Sequence, residues 1–226
     1  TMATVLQKKN TDEFLNLGID VITSGNHIWD KTETLDFINN ETRLLRPANM
    51  ANGSPGKGFN IYNSRNKKFR VGVLNLMGNV FMKKTEDVFK TAQSTLKKLV
   101  LKKNIDFLLV DFHGETTSEK LACGYLFDGK ATCVFGTHTH APTSDTRILK
   151  KGTAYQTDIG MCGDYDSVIG FNKENSLKKF QRDKDAIKNF PANGPGTISG
   201  LIVTADTKTG LAKNIQRLKI GEHKEI

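Results

Sequence analysis

The chain has 226 residues, a formal net charge of +9 and an apolar fraction of 37%. This composition excludes an intrinsically disordered protein, and no apolar run approaches the roughly 18 residues that a membrane helix needs. The first ten residues are too polar for a secretory signal, and Cys123, Cys133 and Cys162 show no CxxC spacing, so we expect one cytoplasmic domain over residues 1–226 with reduced, mostly buried thiols.

Strand and helix patterns alternate along the chain. Short apolar runs between turn residues predict strands at residues 19–23, 43–46, 59–63, 69–76, 106–111, 132–135 and 153–157, with a closing hairpin of residues 197–205 and 211–220. Helical spacing and capping residues predict helices at residues 30–40, where Asp30 would be the N-cap, and at residues 85–103, 118–127 and 175–186. The alternation predicts a layered α/β fold with a largely buried sheet.

Four of the five histidines directly follow a predicted buried strand. They are His27, His113, His138 and His140. In open α/β sheets, ligands bind beyond the carboxyl ends of the strands, so we predict that these histidines share one site. A single histidine at such a position is more often structural, but the repetition at three strand ends argues for a site. His223 lies in a charged tail and is not part of this prediction.

The types and spacing of these residues indicate metal chemistry. His138 and His140 alternate in an extended segment and therefore project the same way, toward neighbouring ions. Asn26 offers an amide oxygen as a further ligand, and the alternative is an Asx turn in the tight loop of residues 24–26. Imidazole and oxygen ligands suit Fe, Mn or Zn rather than Ca. Two close metals would clamp a phosphate ester and activate a bridging water, with His27 protonating the leaving oxygen.

Several motifs at these positions resemble those of the calcineurin-like metallophosphoesterases. They are Gly-Asn-His at residues 25–27, Asp-Phe-His at residues 111–113 and Gly-Thr-His-Thr-His at residues 136–140. Longer stretches are similar to the YmdB-type branch of that family: SGNHIWDK at 24–31, RPAN at 46–49, SPGKG at 54–58, DFHGETTSEK at 111–120, FGTHTH at 135–140 and KGTAYQTDIGMCG at 151–163. The resemblance covers nearly the whole chain from Phe14 onward.

The resemblance implies a β-sandwich flanked by helices and a metal-supported phosphodiesterase, notably active on 2′,3′-cyclic nucleotides. By the same resemblance, Asn26, His113 and His138 are implied ligands of one metal and His140 is an implied ligand of a second. His27 is the implied general acid.

The start of the chain departs from the family pattern. Family members begin with a strand carrying Gly-Asp and continue to a strand ending in Glu-Asn, which supply the remaining metal ligands. Residues 1–13 resemble neither strand, so the resemblance implies an N-terminally truncated form that holds fewer than two metals unless Asp111, Glu115 or Asp158 substitutes. A sheet without those strands would pair with a second copy or rearrange around residues 19–23.

Three functional interpretations stay open at this point. The first is a dinuclear phosphodiesterase acting on small phosphoesters or cyclic nucleotides. The second is a non-catalytic nucleotide- or RNA-binding relative, favoured by the missing carboxylates and by the basic charge, which attracts polyanions. The third is a mononuclear metal protein that uses Asn26, His113 and His138. No membrane partner is expected.

Overall fold

The computed structural model of the chain describes residues 7–222, and His223 therefore lies outside the described residues. The helices in this part are α1 (Lys8–Asn16), α2 (Glu33–Phe37), α3 (Val88–Leu96), α4 (Thr117–Phe127) and α5 (Lys173–Phe180). The strands are β1 (Ile22–Thr23), β2 (Leu44–Leu45), β3 (Phe59–Asn63), β4 (Arg70–Met77), β5 (Phe107–His113), β6 (Cys133–Thr137), β7 (Arg147–Ile148), β8 (Ala154–Gln156), β9 (Ile198–Ala205) and β10 (Ala212–Ile220). The predicted α/β class is confirmed.

A mixed sheet of six strands forms the centre of the fold, in the order β3-β4-β5-β6-β8-β7. The four inner strands run parallel, and β3 and β7 pair antiparallel at the two edges. The register places Met77 beside His113 and His113 beside Thr137. The carboxyl ends of β4, β5 and β6 therefore meet at one edge of the sheet, which is where a ligand site is expected.

The main core lies where α3 and α4 pack against this sheet. Its buried side chains include Leu108, Val110 and Val134 from the strands, and Val88 and Phe127 from the helices. The continuous apolar character of β5 follows from this packing, because a parallel strand inside such a sheet has neighbours on both faces. The core thus holds β5 and β6 rigidly at the edge where their terminal histidines emerge.

Two smaller sheets complete the described part. β1 pairs parallel with β2, and only the last two residues of the predicted strand at residues 19–23 belong to it. The predicted closing hairpin is present as the antiparallel pair of β9 and β10, and β10 contacts β7 and β8. None of the helices within residues 7–222 is long and apolar enough to cross a membrane.

Some sequence predictions were wrong at the ends of elements. Asp30 is not an N-cap, because α2 begins at Glu33 and the Asp30 carboxylate binds His27 and Lys83 instead. Helix α1 was not predicted at all, since its residues are mostly polar. Short strand β7 was also missed.

The helix predicted at residues 85–103 is shorter than its apolar spacing suggested. It begins after Asp87, whose side chain accepts a hydrogen bond from the amide of Lys90, and it ends at Leu96. Beyond that end, the Asn104 side chain accepts from the amide of Val100 and donates to the carbonyl of Lys98. These contacts build a turn that replaces the last predicted helical residues.

All three cysteines are free. Cys123 in α4 and Cys133 in β6 are buried, as predicted for most of the thiols, whereas Cys162 is exposed. Burial raises the pKa of the Cys133 thiol to about 12 and raises that of Cys123 as well.

Candidate active site

Asn26, His113 and His138 come together at the carboxyl edge of the sheet. The Asn26 Oδ1 atom lies 2.8 Å from Nε2 of His113, and Nδ1 of His138 lies 3.2 Å from the same nitrogen. The two imidazole rings meet edge to face, with their centroids 4.8 Å apart. Three side chains from three separate segments thus converge on one point.

A chain of hydrogen bonds determines which His113 nitrogen carries a proton. The Thr137 hydroxyl donates to Oδ1 of Asp111 over 2.8 Å, and its oxygen lies 3.0 Å from Nδ1 of His113. Because the hydroxyl hydrogen is used on Asp111, the hydroxyl oxygen accepts the Nδ1–H of His113. The Nε2 atom of His113 then presents a lone pair to Asn26. Burial, and to a lesser extent nearby positive charge, lowers the pKa of His113 to about 3, so the ring is neutral near pH 7.

His138 has a comparable arrangement. Its Nε2 atom lies 3.0 Å from Oε2 of Glu115. When Nε2–H donates to that carboxylate, Nδ1 presents its lone pair toward His113. Burial lowers the pKa of His138, and Glu115 opposes that shift. Two imidazole lone pairs and the amide oxygen of Asn26 then face one another, an arrangement that a cation between them would stabilise.

The close approach of these segments depends on a glycine. A Cβ atom built on Gly25 would lie 2.2 Å from Nε2 of His113, well inside van der Waals contact. Only glycine therefore allows the loop after β1 to bring Asn26 against the His113 ring. This gives the glycine of the Gly-Asn-His motif a physical role.

The prediction that His138 and His140 alternate in an extended segment was wrong, because β6 ends at Thr137 and both histidines lie in a strained loop after it. His138 has φ +101° and His140 has φ +66°, values that non-glycine residues seldom adopt. Between them, the Thr139 amide and hydroxyl donate to Oδ2 of Asp158 over 3.1 and 2.7 Å. That oxygen also lies 2.7 Å from Nζ of Lys120. Strained backbone that its surroundings stabilise in this way is typical of functional sites.

His140 lies near this cluster but has a different partner. Its Nδ1 atom lies 2.8 Å from the carbonyl oxygen of Ile169, to which it donates. Because Nδ1 carries the proton, Nε2 of His140 is the ring atom with a lone pair.

His27 belongs to a second group beside Asn26. Its Nδ1 atom lies 2.6 Å from Oδ2 of Asp30, and about half of the side chain is exposed. Lys83 donates to Oδ1 of Asp30 over 3.3 Å and to the carbonyl oxygen of Asn26 over 3.1 Å. The hydrogen bond from His27, with help from Lys83, lowers the pKa of Asp30. The resulting carboxylate orients His27 and leaves Nε2 as its proton-exchanging atom.

Sequence reasoning had missed the supporting residues of both groups. The spacing of three residues between His27 and Asp30 was a usable signal, but Asp30 was interpreted as a helix cap. Thr137 adjoins His138 and could have been noticed for that reason. Local sequence patterns do not connect Lys83 or Lys120 with its partner, since the partners are 57 and 38 residues away.

The carboxylates that the sequence suggested as further metal ligands have other partners. Asp111 accepts from Thr137, and Asp158 binds Lys120 and Thr139. Within residues 7–222, no three histidine, cysteine, aspartate or glutamate side chains form a group that could hold a metal ion. The ligand set that the described residues do offer is two imidazoles and one amide oxygen, which fits one divalent cation in chemistry but lacks a carboxylate.

Comparisons with known proteins place this geometry in context. A family model described as "YmdB-like protein" matches residues 1–218. A Bacillus subtilis (strain 168) protein named "2′,3′-cyclic-nucleotide 2′-phosphodiesterase" is 41% identical over 217 residues, which is 96% of this chain and 80% of the relative.

Two crystal structures are similar over the same extent of the chain. A hypothetical protein from Thermus thermophilus superposes with a TM-score of 0.85 at 32% identity, covering 96% of this chain and 82% of that one. A protein from Mycoplasma pneumoniae described as a novel phosphatase also superposes with a TM-score of 0.85, at 34% identity, covering 96% of this chain and 77% of that one.

Proposed function

The chain belongs to the YmdB-like protein family, and from that premise we propose that it is a metal-supported phosphodiesterase acting on 2′,3′-cyclic nucleotides. The coarser assignment, a phosphoesterase, follows from the similarity to a named phosphodiesterase and to a solved phosphatase. The observation that carries the finer proposal is the convergence of Asn26, His113 and His138 beside the oriented pair of His27 and Asp30.

In this proposal, Asn26 Oδ1, His113 Nε2 and His138 Nδ1 hold a divalent cation. Their mixture of imidazole and amide ligands suits Fe, Mn or Zn. A bound cation supplies positive charge that polarises a phosphoryl oxygen and lowers the pKa of a water. His140 is the candidate ligand for a second ion, through the Nε2 atom that its bond to Ile169 leaves unprotonated.

His27 provides the proton in the proposed reaction. Asp30 accepts the Nδ1–H of His27 and so orients the ring, which leaves Nε2 as the atom that can donate a proton. As water attacks phosphorus, a new P–O bond forms, the bond from phosphorus to a ribose oxygen breaks, and one proton of the water passes to bulk solvent. The Nε2–H of His27 passes to that ribose oxygen, and the product is a nucleoside monophosphate.

The decisive experiment is hydrolysis of 2′,3′-cyclic AMP by the purified chain with added manganese, followed by chromatography of the nucleotides. We expect conversion to adenosine monophosphate that a chelator abolishes and that excess manganese restores. The variants His113→Ala and His138→Ala should lose both activity and bound metal. Metal-independent turnover, or full activity in these variants, would contradict the proposal.

Nucleotide binding without turnover is a second candidate. It is favoured by the lack of a carboxylate among the three converging side chains and by the net charge of +9. Equilibrium dialysis with adenosine 3′-monophosphate separates the two functions. Binding of the nucleotide by a chain that shows no hydrolysis at saturating manganese would favour this second candidate.

A further inference from the structure

The loop of residues 78–83, which follows β4, connects two parts of the candidate site. At its start, the Gly78 amide donates to the carbonyl oxygen of His113 over 2.9 Å. At its end, Nζ of Lys83 donates to the carbonyl oxygen of Asn26 over 3.1 Å. The loop is therefore attached at both ends to residues that contribute side chains to the converging set.

The base of this loop is also held from inside the protein. Both carboxylate oxygens of Glu119, a side chain with only 9% exposure, accept backbone hydrogen bonds: Oε1 from the amide of Asn79 and Oε2 from that of Val80. The Asn79 side chain in turn accepts from the amide of Val88 at the start of α3. These contacts hold the loop in place up to Val80, and none of them involves Phe81.

Phe81, the next residue, combines two unfavourable features. Its side chain is 87% exposed, and its backbone has φ +58°. A bulky residue in the left-handed region is a genuine outlier, and an exposed aromatic ring adds nothing to the core. Strain of this kind, in a loop that is anchored at both ends, is typical of a ligand-contacting position.

Phe81 lies on the loop between these two points of attachment to the site. Phe81 is two residues from Lys83, so their Cα atoms are at most about 7.6 Å apart. Lys83 contacts both Asn26 and Asp30, so the same loop brings a positive charge beside the candidate site. A nucleotide whose phosphate occupied the converging side chains would need a neighbouring surface to hold its base, and this loop offers an exposed aromatic side chain beside the site.

We infer that Phe81 is a stacking platform for the base of the nucleotide substrate. This inference rests on the proposed function. It names the residue that makes the proposed enzyme selective for nucleotides. Aromatic stacking tolerates every base, because each base has a π-face, so the platform selects nucleotides over base-free phosphodiesters without selecting one base. Phe81 contacts the base and takes no part in proton transfer.

The test compares a nucleotide with a base-free substrate of the same reactive group. Glycerol 1,2-cyclic phosphate keeps the five-membered cyclic phosphodiester of 2′,3′-cyclic AMP but has no base. For Phe81→Ala we expect a rise of about tenfold in KM for 2′,3′-cyclic AMP and no change for the glycerol compound. Phe81→Leu should behave like Phe81→Ala because it keeps apolar bulk without a π-face, whereas Phe81→Trp should restore the nucleotide KM. Val80→Ala, in the same loop, is the matched control.

An equal loss on both substrates would show a structural role for Phe81, and an unchanged nucleotide KM in Phe81→Ala would refute stacking.

A second measurement does not depend on turnover. The tryptophan of Phe81→Trp should be quenched by adenosine 3′-monophosphate and not by glycerol phosphate, with the wild type, which has only Trp29, as background. Quenching by a chain that hydrolyses neither substrate would overturn the proposed function and leave the platform intact. Absence of quenching in an active chain would overturn the platform alone.

Discussion

The ammonium group of Lys120 lies 2.7 Å from the Asp158 carboxylate, and both side chains are almost completely buried. The same carboxylate oxygen accepts two hydrogen bonds from Thr139, the residue between the two histidines with left-handed backbone. Helix α4 therefore supports the loop of His138 and His140 through one buried charge pair.

Replacing Lys120 should destabilise the protein strongly. Lys120→Met leaves the Asp158 carboxylate buried and uncompensated, which predicts a loss of about 3–5 kcal/mol in the free energy of unfolding. Urea denaturation measures it. The double variant Lys120→Met/Asp158→Asn should recover part of this loss. Lys8→Met is the matched control, because its partner Asp12 is exposed and such pairs contribute at most about 1 kcal/mol. Equal effects of the two lysine substitutions would contradict a structural role for the buried pair.

The hydroxyl of Thr137 should control metal affinity through the tautomer of His113. Thr137→Val removes the acceptor of the Nδ1–H, so we expect manganese affinity to fall about 10- to 100-fold, the usual effect of losing a hydrogen-bond partner of a metal-binding histidine. Calorimetric titration measures the affinity. Thr137→Ser keeps the hydroxyl and should retain wild-type affinity. If serine and valine weakened binding alike, the tautomer argument would fail.

His27 should affect turnover without affecting metal content. His27→Ala is expected to lower kcat for 2′,3′-cyclic AMP by roughly 100-fold or more, the scale of a lost general acid. Elemental analysis of the same preparation should show unchanged metal. Asp30→Asn, which leaves the imidazole in place but removes the orienting charge, should cause a smaller loss. A parallel loss of metal in His27→Ala would identify His27 as a ligand instead.

Gly25 should be essential for the site and dispensable for the fold. In Gly25→Ala the new methyl group collides with the His113 ring, which must then leave its position beside Asn26. We expect loss of metal binding with a cooperative unfolding transition retained. Gly200→Ala is the matched control, since a Cβ there meets no atom within 4 Å and the backbone is not left-handed. Normal metal binding by Gly25→Ala would disprove the need for close approach.

The three thiols should differ in reactivity. Burial raises the pKa of Cys133 to about 12 and also raises that of Cys123, so both remain protonated and inaccessible at pH 8. Cys162 is exposed. Brief treatment with iodoacetamide followed by peptide mass spectrometry should therefore label Cys162 alone, because the thiolate is the reactive form. Urea should make all three react, and early labelling of Cys133 in native protein would show that β6 opens readily.

The strands that carry the site could be predicted because their packing restricts composition. The apolar runs before His113 and before His138 predicted β5 and β6 to within a few residues. A strand inside a covered parallel sheet has neighbours on both faces, so most of its residues are apolar. Helix ends were harder: the apolar spacing that continues past Leu96 belongs to a turn, where the Asn104 side chain replaces helical hydrogen bonds.

The sequence by itself determined the α/β class, the strand ends that deliver the histidines, and the motifs of the family. Only the tertiary structure decided how those residues are supported: Thr137 on His113, Lys83 on Asn26, and Lys120 on Asp158. The members of each pair are 24 to 57 residues apart. Local patterns of hydrophobicity carry no information about such pairs, because sheet register and loop path alone bring their atoms within hydrogen-bonding distance.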